Sequence, residues 1–446
     1  MITSFSLRNF KSYKEAEMPL AALTLFIGPN ASGKSNALEA IRLLSLLSKG
    51  ARLDDIEKGI HGPGGYLRGE SANLFRDAGE AIEIGCRMEG ILWDWNLLSI
   101  QLGLISDHLV ITDEIVSKDA KLDPLFLYRV DGPEKNAISD DVILVRYYNF
   151  SEGELPQIPC SNRQAIFFQL ETPGRFREED PESQFVIPSV AKSIRTNLRN
   201  VVFLEPQPEK MRDYSYLKDD VIVEDGRNLS SVLYKICNGK DRYERDQMLK
   251  FVRSLPEQDI IEIRFIKTER NDVMVRLVES FGGKESIFDA PVLSDGTLRV
   301  LAVGATLLSA PQGSLVVIEE IDNGVHPSRA ERLILQIKEI SEDRGLRVLL
   351  TSHNPALLDA LPDESLGDVL CCYRDPELGD SRIIRLGDLD RYPELMAQGT
   401  LGELVTKQVL DRFLKDKTTP EERKQAALSW LNEFKKEVED EGHLSD

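Results

Sequence analysis

Apolar residues along the chain follow three patterns, and each predicts a different element. Short uninterrupted runs, Leu23-Thr24-Leu25-Phe26-Ile27, Leu315-Val316-Val317-Ile318 and Val348-Leu349-Leu350, suit strands buried on both faces, as in the middle of a parallel sheet. Between Gly59 and about Thr172 the runs alternate instead, as in Ala81-Ile82-Glu83-Ile84 and Val142-Ile143-Leu144-Val145. Gly, Pro, Asn and Asp break them up, which predicts antiparallel strands joined by long loops. Helical spacing marks Leu38, Ile41, Leu44 and Leu47, with one face against a sheet, and recurs at 300–308 and within 190–255. Asn228-Leu229-Ser230-Ser231-Val232-Leu233-Tyr234, entered from the turn Glu224-Asp225-Gly226, belongs to the last stretch. Residues 261–267 and 273–278 predict a hairpin through Thr268-Glu269-Arg270-Asn271-Asp272. No repeat appears, and apolar heptads never run far enough for a coiled coil.

Composition narrows the class. A chain of 446 residues is long enough for two or three lobes. With 75 acidic against 55 basic residues its formal charge is −20, which opposes binding of nucleic acid over the whole surface and leaves only a local basic groove for DNA contact. The five cysteines, Cys86, Cys160, Cys237, Cys371 and Cys372, are odd in number and lack Cys-x-x-Cys spacing, so neither a disulfide framework nor a zinc site is expected. A reducing cytoplasm fits this usage. The N-terminus lacks a signal-peptide core and no stretch approaches the ~20 apolar residues that span a bilayer, so a cytoplasmic protein without membrane contact is expected.

The chemistry begins at Gly28-Pro29-Asn30-Ala31-Ser32-Gly33-Lys34-Ser35-Asn36, placed between an apolar strand and an amphipathic helix. This is a phosphate-binding loop in its required context. Gly28 and Gly33 let the backbone curl so that its N–H groups face phosphate, with the helix dipole behind them. Lys34 then reaches the β/γ-phosphates and Ser35 ligates Mg2+; ATP and Mg2+ are the expected cofactors. The run 315–318 ends in Glu319-Glu320, at the carboxyl end of a central strand, where ligands bind in doubly wound sheets. Strand alternation would turn the two carboxylates to opposite faces, Glu319 to the metal and Glu320 to the attacking water as base. The strand 347–352 leads into His353, placed to sense the γ-phosphate.

Gly28 to Ser35, Leu293-Ser294-Asp295-Gly296, Glu319-Glu320 and His353 occur in the order of the ABC ATPases, and the chain resembles an ABC-type head of the RecF/SMC branch. Asn9-Phe10-Lys11-Ser12-Tyr13, Glu320-Ile321-Asp322-Asn323-Gly324-Val325-His326-Pro327 and Thr351-Ser352-His353-Asn354-Pro355 narrow this to compact AAA/ABC ATPases without coiled coils, among which are subunits of bacterial phage-defence systems. The resemblance covers residues 1–48 and 200–405. It implies an α/β head with an inserted antiparallel and helical region: 1–58 as the first lobe, 59–200 as antiparallel strands and loops, 201–260 as a helical insertion, 261–405 as the second lobe and 406–446 as a C-terminal helical extension. It further implies that Ser294, Asp295 and Gly296 act on nucleotide held by a second copy, since one loop and one signature per chain make two sites only by pairing. Gln207, after Val201-Val202-Phe203-Leu204-Glu205-Pro206, matches the metal-contacting glutamine, and His326 falls in the dimer-facing loop. Two departures are Asp295 where a glycine is usual and Glu319 where an aspartate is usual; slow hydrolysis is expected.

Three further features have plainer readings. Lys192, Arg195 and Arg199 make a basic helical stripe, read as a solvated face in preference to a nucleic-acid contact. Asp388 and Asp390 are read as a turn and not a nuclease metal pair. Thr419-Pro420-Glu421-Glu422 starts a helix whose apolar stripe is Ala427, Leu431, Phe434 and Val438, with Trp430 beside it; it either docks on its own head or binds a partner. No nuclease, protease or ligase centre is present in the pattern, so the expected role is an ATP-switched dimer controlling a separate effector protein, a nuclease, in antiphage defence. The alternative is a RecF-like ATPase that clamps DNA in repair.

Overall fold

The computed structural model describes residues 1–60, 67–118, 126–130, 141–151, 153–239, 242–253, 259–321 and 330–416, with a few positions beyond. His326 and the stripe from Ala427 to Val438, Trp430 included, lie outside the described residues.

The strands are β1 (Ile2–Phe10), β2 (Tyr13–Pro19), β3 (Leu23–Ile27), β4 (Ile82–Met88), β5 (Leu97–Ile105), β6 (His108–Ser117), β7 (Phe126–Val130), β8 (Val142–Tyr147), β9 (Gln157–Ser161), β10 (Val202–Leu204), β11 (Ser215–Tyr216), β12 (Ile260–Lys267), β13 (Asp272–Phe281), β14 (Lys284–Asp289), β15 (Leu315–Ile318), β16 (Arg347–Thr351), β17 (Leu370–Arg374) and β18 (Ser381–Arg385). Fourteen of them form one sheet in the order β10-β15-β16-β3-β17-β18-β2-β1-β4-β5-β6-β7-β8-β9. From β10 to β17 neighbours run parallel; from β2 to β9 they run antiparallel. The halves meet where β18 touches β2 through the single pair Ser381 and Tyr13. The alternating segment after Gly59 is therefore an extension of the sheet that carries the glycine loop after β3. Likewise Val202–Leu204, at the start of the stretch expected as a helical insertion, is the edge strand beside β15.

In the parallel half, side chains alternate between two cores. Phe26, Phe203, Val317 and Leu349 enter one, with the helices Lys34–Ser48 and Pro181–Arg199. Leu25, Leu204, Ile318 and Leu350 enter the other, with the helices Leu229–Asn238, Arg242–Val252, Asp295–Ser309 and Ala330–Asp343. The helix Lys34–Ser48 was expected to bury one face, but its residues from Ala37 to Ile41, and Leu43, Leu44 and Leu47, are all buried. The helix Pro181–Arg199 packs against it, so beyond its first turn little of its surface is left to solvent. β12 and β13 form the expected hairpin, with Asn271 left-handed at φ 63° in its turn, and β11 and β14 complete a smaller second sheet.

Candidate functional site

A cleft of about 500 Å³ opens at the carboxyl ends of the parallel strands. Its walls include Asn30, Ala31, Ser32, Gly33, Lys34, Ser35 and Asn36 from the loop after β3, Glu319 and Glu320 after β15, and Thr351 and His353 from β16 and beyond. Parallel strands point their ends the same way, which is why residues so distant in sequence converge there.

Backbone geometry makes the loop specific for glycine at two points. Gly28 has φ 152° and Gly33 φ 122°; a Cβ would lie 2.2 Å from Cys372 O in the first case and 2.3 Å from Ser381 Oγ in the second. Ala31 is also left-handed, at φ 62°, and Arg374 Nε donates to its carbonyl at 3.1 Å. Lys34 Nζ rests on loop carbonyls, donating to Gly28 O at 2.6 Å and Pro29 O at 3.2 Å. Burial lowers its pKa, with Cys372 and Glu320 opposing. The loop is held from behind at the seam of the sheet. Tyr13 donates to Gly33 O at 3.0 Å, Cys372 Sγ donates to Ser32 O at 3.4 Å, and Ser381 lies 2.7 Å from Ser12 Oγ while also donating to Ser32 O. Burial raises the pKa of both Tyr13 and Cys372, which keeps them protonated and able to donate.

The two carboxylates are placed differently from the alternation expected of a strand. β15 stops at Ile318, and Glu320 takes φ 51°, with its N–H on Thr351 Oγ1 at 2.9 Å. A left-handed residue breaks the two-fold repeat of the strand, so Glu319 and Glu320 line one cleft. Such a conformation in a non-glycine residue costs about 1–3 kcal/mol and is tolerated where its surroundings impose it. Glu319 pairs with Arg42 at 3.2 Å. Burial raises its pKa to about 7; Arg42 opposes this, and Glu205 and Glu224 add to it.

Cationic residues of the cleft escaped the sequence reading. Lys11, in the left-handed turn between β1 and β2 at φ 49°, pairs with Glu39, and Arg68 Nε pairs with the same carboxylate at 2.6 Å. Lys11, Arg68 and Arg374 all line the cleft. Lys11 stands within the quoted Asn9-Phe10-Lys11-Ser12-Tyr13 segment, but neither Arg68 nor Arg374 carries a local signal.

Several expected residues lie elsewhere. Gln207 is not among those lining the cleft; its N–H donates to Asp225 O at 3.1 Å. Ser294, Asp295 and Gly296 do not line it either. Ser294 is exposed and caps the helix Asp295–Ser309 by accepting from Thr297 N at 3.1 Å, and Asp295 pairs with Arg212. Within the basic stripe, Arg195 pairs with Glu171 at 2.6 Å and stacks 4.7 Å over Phe168. Asp388 closes a short turn and lies 3.5 Å from Arg385.

The donors at the cleft fit a nucleoside triphosphate with Mg2+. Consecutive loop N–H groups and Lys34 suit phosphate. A hydroxyl and a carboxylate, Ser35 and Glu319, are hard oxygen donors of the kind that hold Mg2+ together with phosphate oxygens and water. Among the described residues no three His, Cys, Asp or Glu side chains converge as a metal cage, and Mg2+ bound with a nucleotide needs none.

Residues 23–97 and 145–359 match the family described as "AAA domain, putative AbiEii toxin, Type IV TA system". The chain belongs to this family. Its described residues form an α/β fold around one large sheet, and the family places it among the AAA-type ATPases. A 41-residue stretch is 51% identical to the DNA replication and repair protein RecF of Desulforamulus reducens, over 9% of this chain and 11% of that protein; the match thus spans about a ninth of the relative's length. Among solved structures, an SMC head bound to the C-terminal winged-helix domain of ScpA is 14% identical, with a TM-score of 0.45 over 86% of this chain and 97% of that one. The SMC head domain from Thermotoga maritima is 13% identical, with a TM-score of 0.38 over 86% and 98%. Among the described residues no helix is long and apolar enough to cross a membrane.

Proposed function

We propose that the chain binds and hydrolyses ATP as a switch, and that two copies close on nucleotide to control a separate effector protein, a nuclease, in antiphage defence. In this reading the loop from Gly28 to Asn36 and Lys34 hold the phosphates, Ser35 and Glu319 hold Mg2+, Glu320 is the base for water and His353 senses the γ-phosphate. Bound Mg2+ supplies charge neutralisation across the β- and γ-phosphates. Residues 1–58 and 261–405 make the nucleotide-binding head.

The observation that carries the reading is the split between the cleft and the signature. Phosphate-binding, acidic and imidazole groups share one cleft, whereas Ser294 caps an exposed helix start away from it. A helix N-terminus is suited to anions, and pairing two copies supplies it to the partner's nucleotide. The family description names a toxin of a toxin–antitoxin system, which supports a chain that works through another protein. Native mass spectrometry of Glu320→Gln with ATP tests the pairing: a dimer that returns to monomer when Ser294→Arg is added is expected, and a nucleotide-loaded monomer would overturn it. Co-purification with the products of neighbouring genes tests the effector, which should appear as a stoichiometric nuclease.

The short identity to RecF favours a second reading, a DNA-clamping repair ATPase. It requires hydrolysis stimulated by duplex DNA and steeply weakened by salt; the charge of −20 weighs against it.

A further inference from the structure

The side chain of Arg42 joins four parts of the site without lining the cleft. It leaves the helix Lys34–Ser48 two turns after Lys34, and only 11% of it is exposed. One guanidinium nitrogen lies 3.2 Å from Glu319 Oε1 and another pairs with Glu224. Its Cζ stands 4.5 Å over the ring of Phe203, on β10. The loop bearing Glu224 is itself fastened to the continuation of β10, through Glu205 N to Glu224 O at 2.8 Å and Gln207 N to Asp225 O at 3.1 Å. Glu319 N in turn donates to Leu204 O at 2.9 Å.

This arrangement answers a physical difficulty. Glu319 and Glu224 share one guanidinium, and this pairing fixes where the Glu319 carboxylate points. A guanidinium paired with Glu319 alone could hold it, but a cation drawing on Glu319 would then strand a largely buried positive charge. Sharing the guanidinium between Glu319 and Glu224 avoids this, since Glu224 keeps Arg42 compensated whenever Glu319 serves the cation. The planar fork of arginine suits such double duty, and the Phe203 ring fixes its plane.

We propose that Arg42 is a positioning residue for the divalent cation: it orients Glu319 towards the cation, and Glu224 retains it as the cation binds. The inference rests on the reading of Glu319 as the cation's carboxylate. Titration of fluorescent nucleotide binding against Mg2+, with a parallel measurement in EDTA, tests both. Arg42→Gln and Arg42→Met should each raise the half-saturating Mg2+ concentration at least tenfold while leaving affinity in EDTA within twofold. The methionine keeps packing against Phe203, so an equal shift in both variants separates orientation from packing. Arg42→Lys, which retains one ion pair, should fall between them and the parent and serves if either of the others fails to fold. Equal weakening with and without Mg2+ would mean that Arg42 merely supports the helix, and would overturn the inference. So would a normal Mg2+ titration in Arg42→Gln alongside a shifted one in Glu319→Gln. A normal titration in Glu319→Gln itself would instead remove Glu319 from the cation site, and the inference with it.

Discussion

The two halves of the large sheet handle burial differently, and this separates chemistry from support. In the parallel half, β3 and β15 are buried at every position, because helices cover both faces of the sheet. In the antiparallel half, β5 alternates buried with half-buried residues along most of its length, and β8 does so towards its end. A strand sealed on both faces has no room for a charged side chain along its body, so charged groups stand only at its ends. With all strands running one way, those ends meet on one edge, where the glycine loop after β3, Glu319, Glu320 and His353 line one cleft. Antiparallel neighbours send successive ends to opposite edges and so gather fewer groups at one place. That half contributes an apolar core, the wall at Tyr13 against which the loop is set, and Lys11 from the turn between β1 and β2.

If this division of labour holds, substitutions in the two halves should fail in different ways. The largest effect is expected for Glu320→Gln, which removes the proposed base from an exposed position: hydrolysis should fall by roughly 10²–10⁴-fold in single-turnover assays, with the melting temperature unchanged. A matching loss of nucleotide affinity would point to a phosphate-binding role instead. Ile100→Ala, in β5 with 1% exposure, should do the reverse. It should cost about 2–5 kcal/mol in chemical denaturation, while the nucleotide affinity of the folded fraction stays as it was.

Next in size is a pH effect at a buried acid of the antiparallel half. Glu114 is fully buried, accepting from Ile166 N and Phe167 N at 2.7 Å each and from Tyr128 at 2.8 Å. Burial raises its pKa to about 7, against the pull of those three donors. The folded state therefore binds the proton more tightly than the unfolded one. The resulting stability is complete below about pH 4.5 and is lost as pH rises through 7, an effect on the order of 3 kcal/mol. Comparing denaturation of the parent and Glu114→Gln between pH 4.5 and 7.5 should show the steeper loss in the parent, with the variant keeping the slope that the raised pKa of Glu319 contributes. The smallest effect tests the seam. Ser381→Ala removes one of the donors to Ser32 O, worth about 1 kcal/mol, and should weaken nucleotide binding about 5-fold with little change in melting temperature; an unchanged affinity would show that the loop keeps its shape without the hydroxyl.

Local order alone was enough to place the loop, the strand before it and the helix after it, because apolar runs, glycine positions and helical spacing act over a few residues. The same holds for the signature before its helix and for the hairpin of β12 and β13. Tertiary structure decided the rest. Glu320 leaves the strand repeat because its N–H reaches Thr351 Oγ1, and no residue near it in sequence announces that bond. Arg68, Arg374 and Arg42 approach the loop, or the acid beside it, only through sheet order and helix packing; the antiparallel segment joins the sheet through β4 on β1, and the two halves meet at Ser381 and Tyr13. Periodicity specifies which face of an element is apolar, but the neighbour that covers that face comes from elsewhere in the chain.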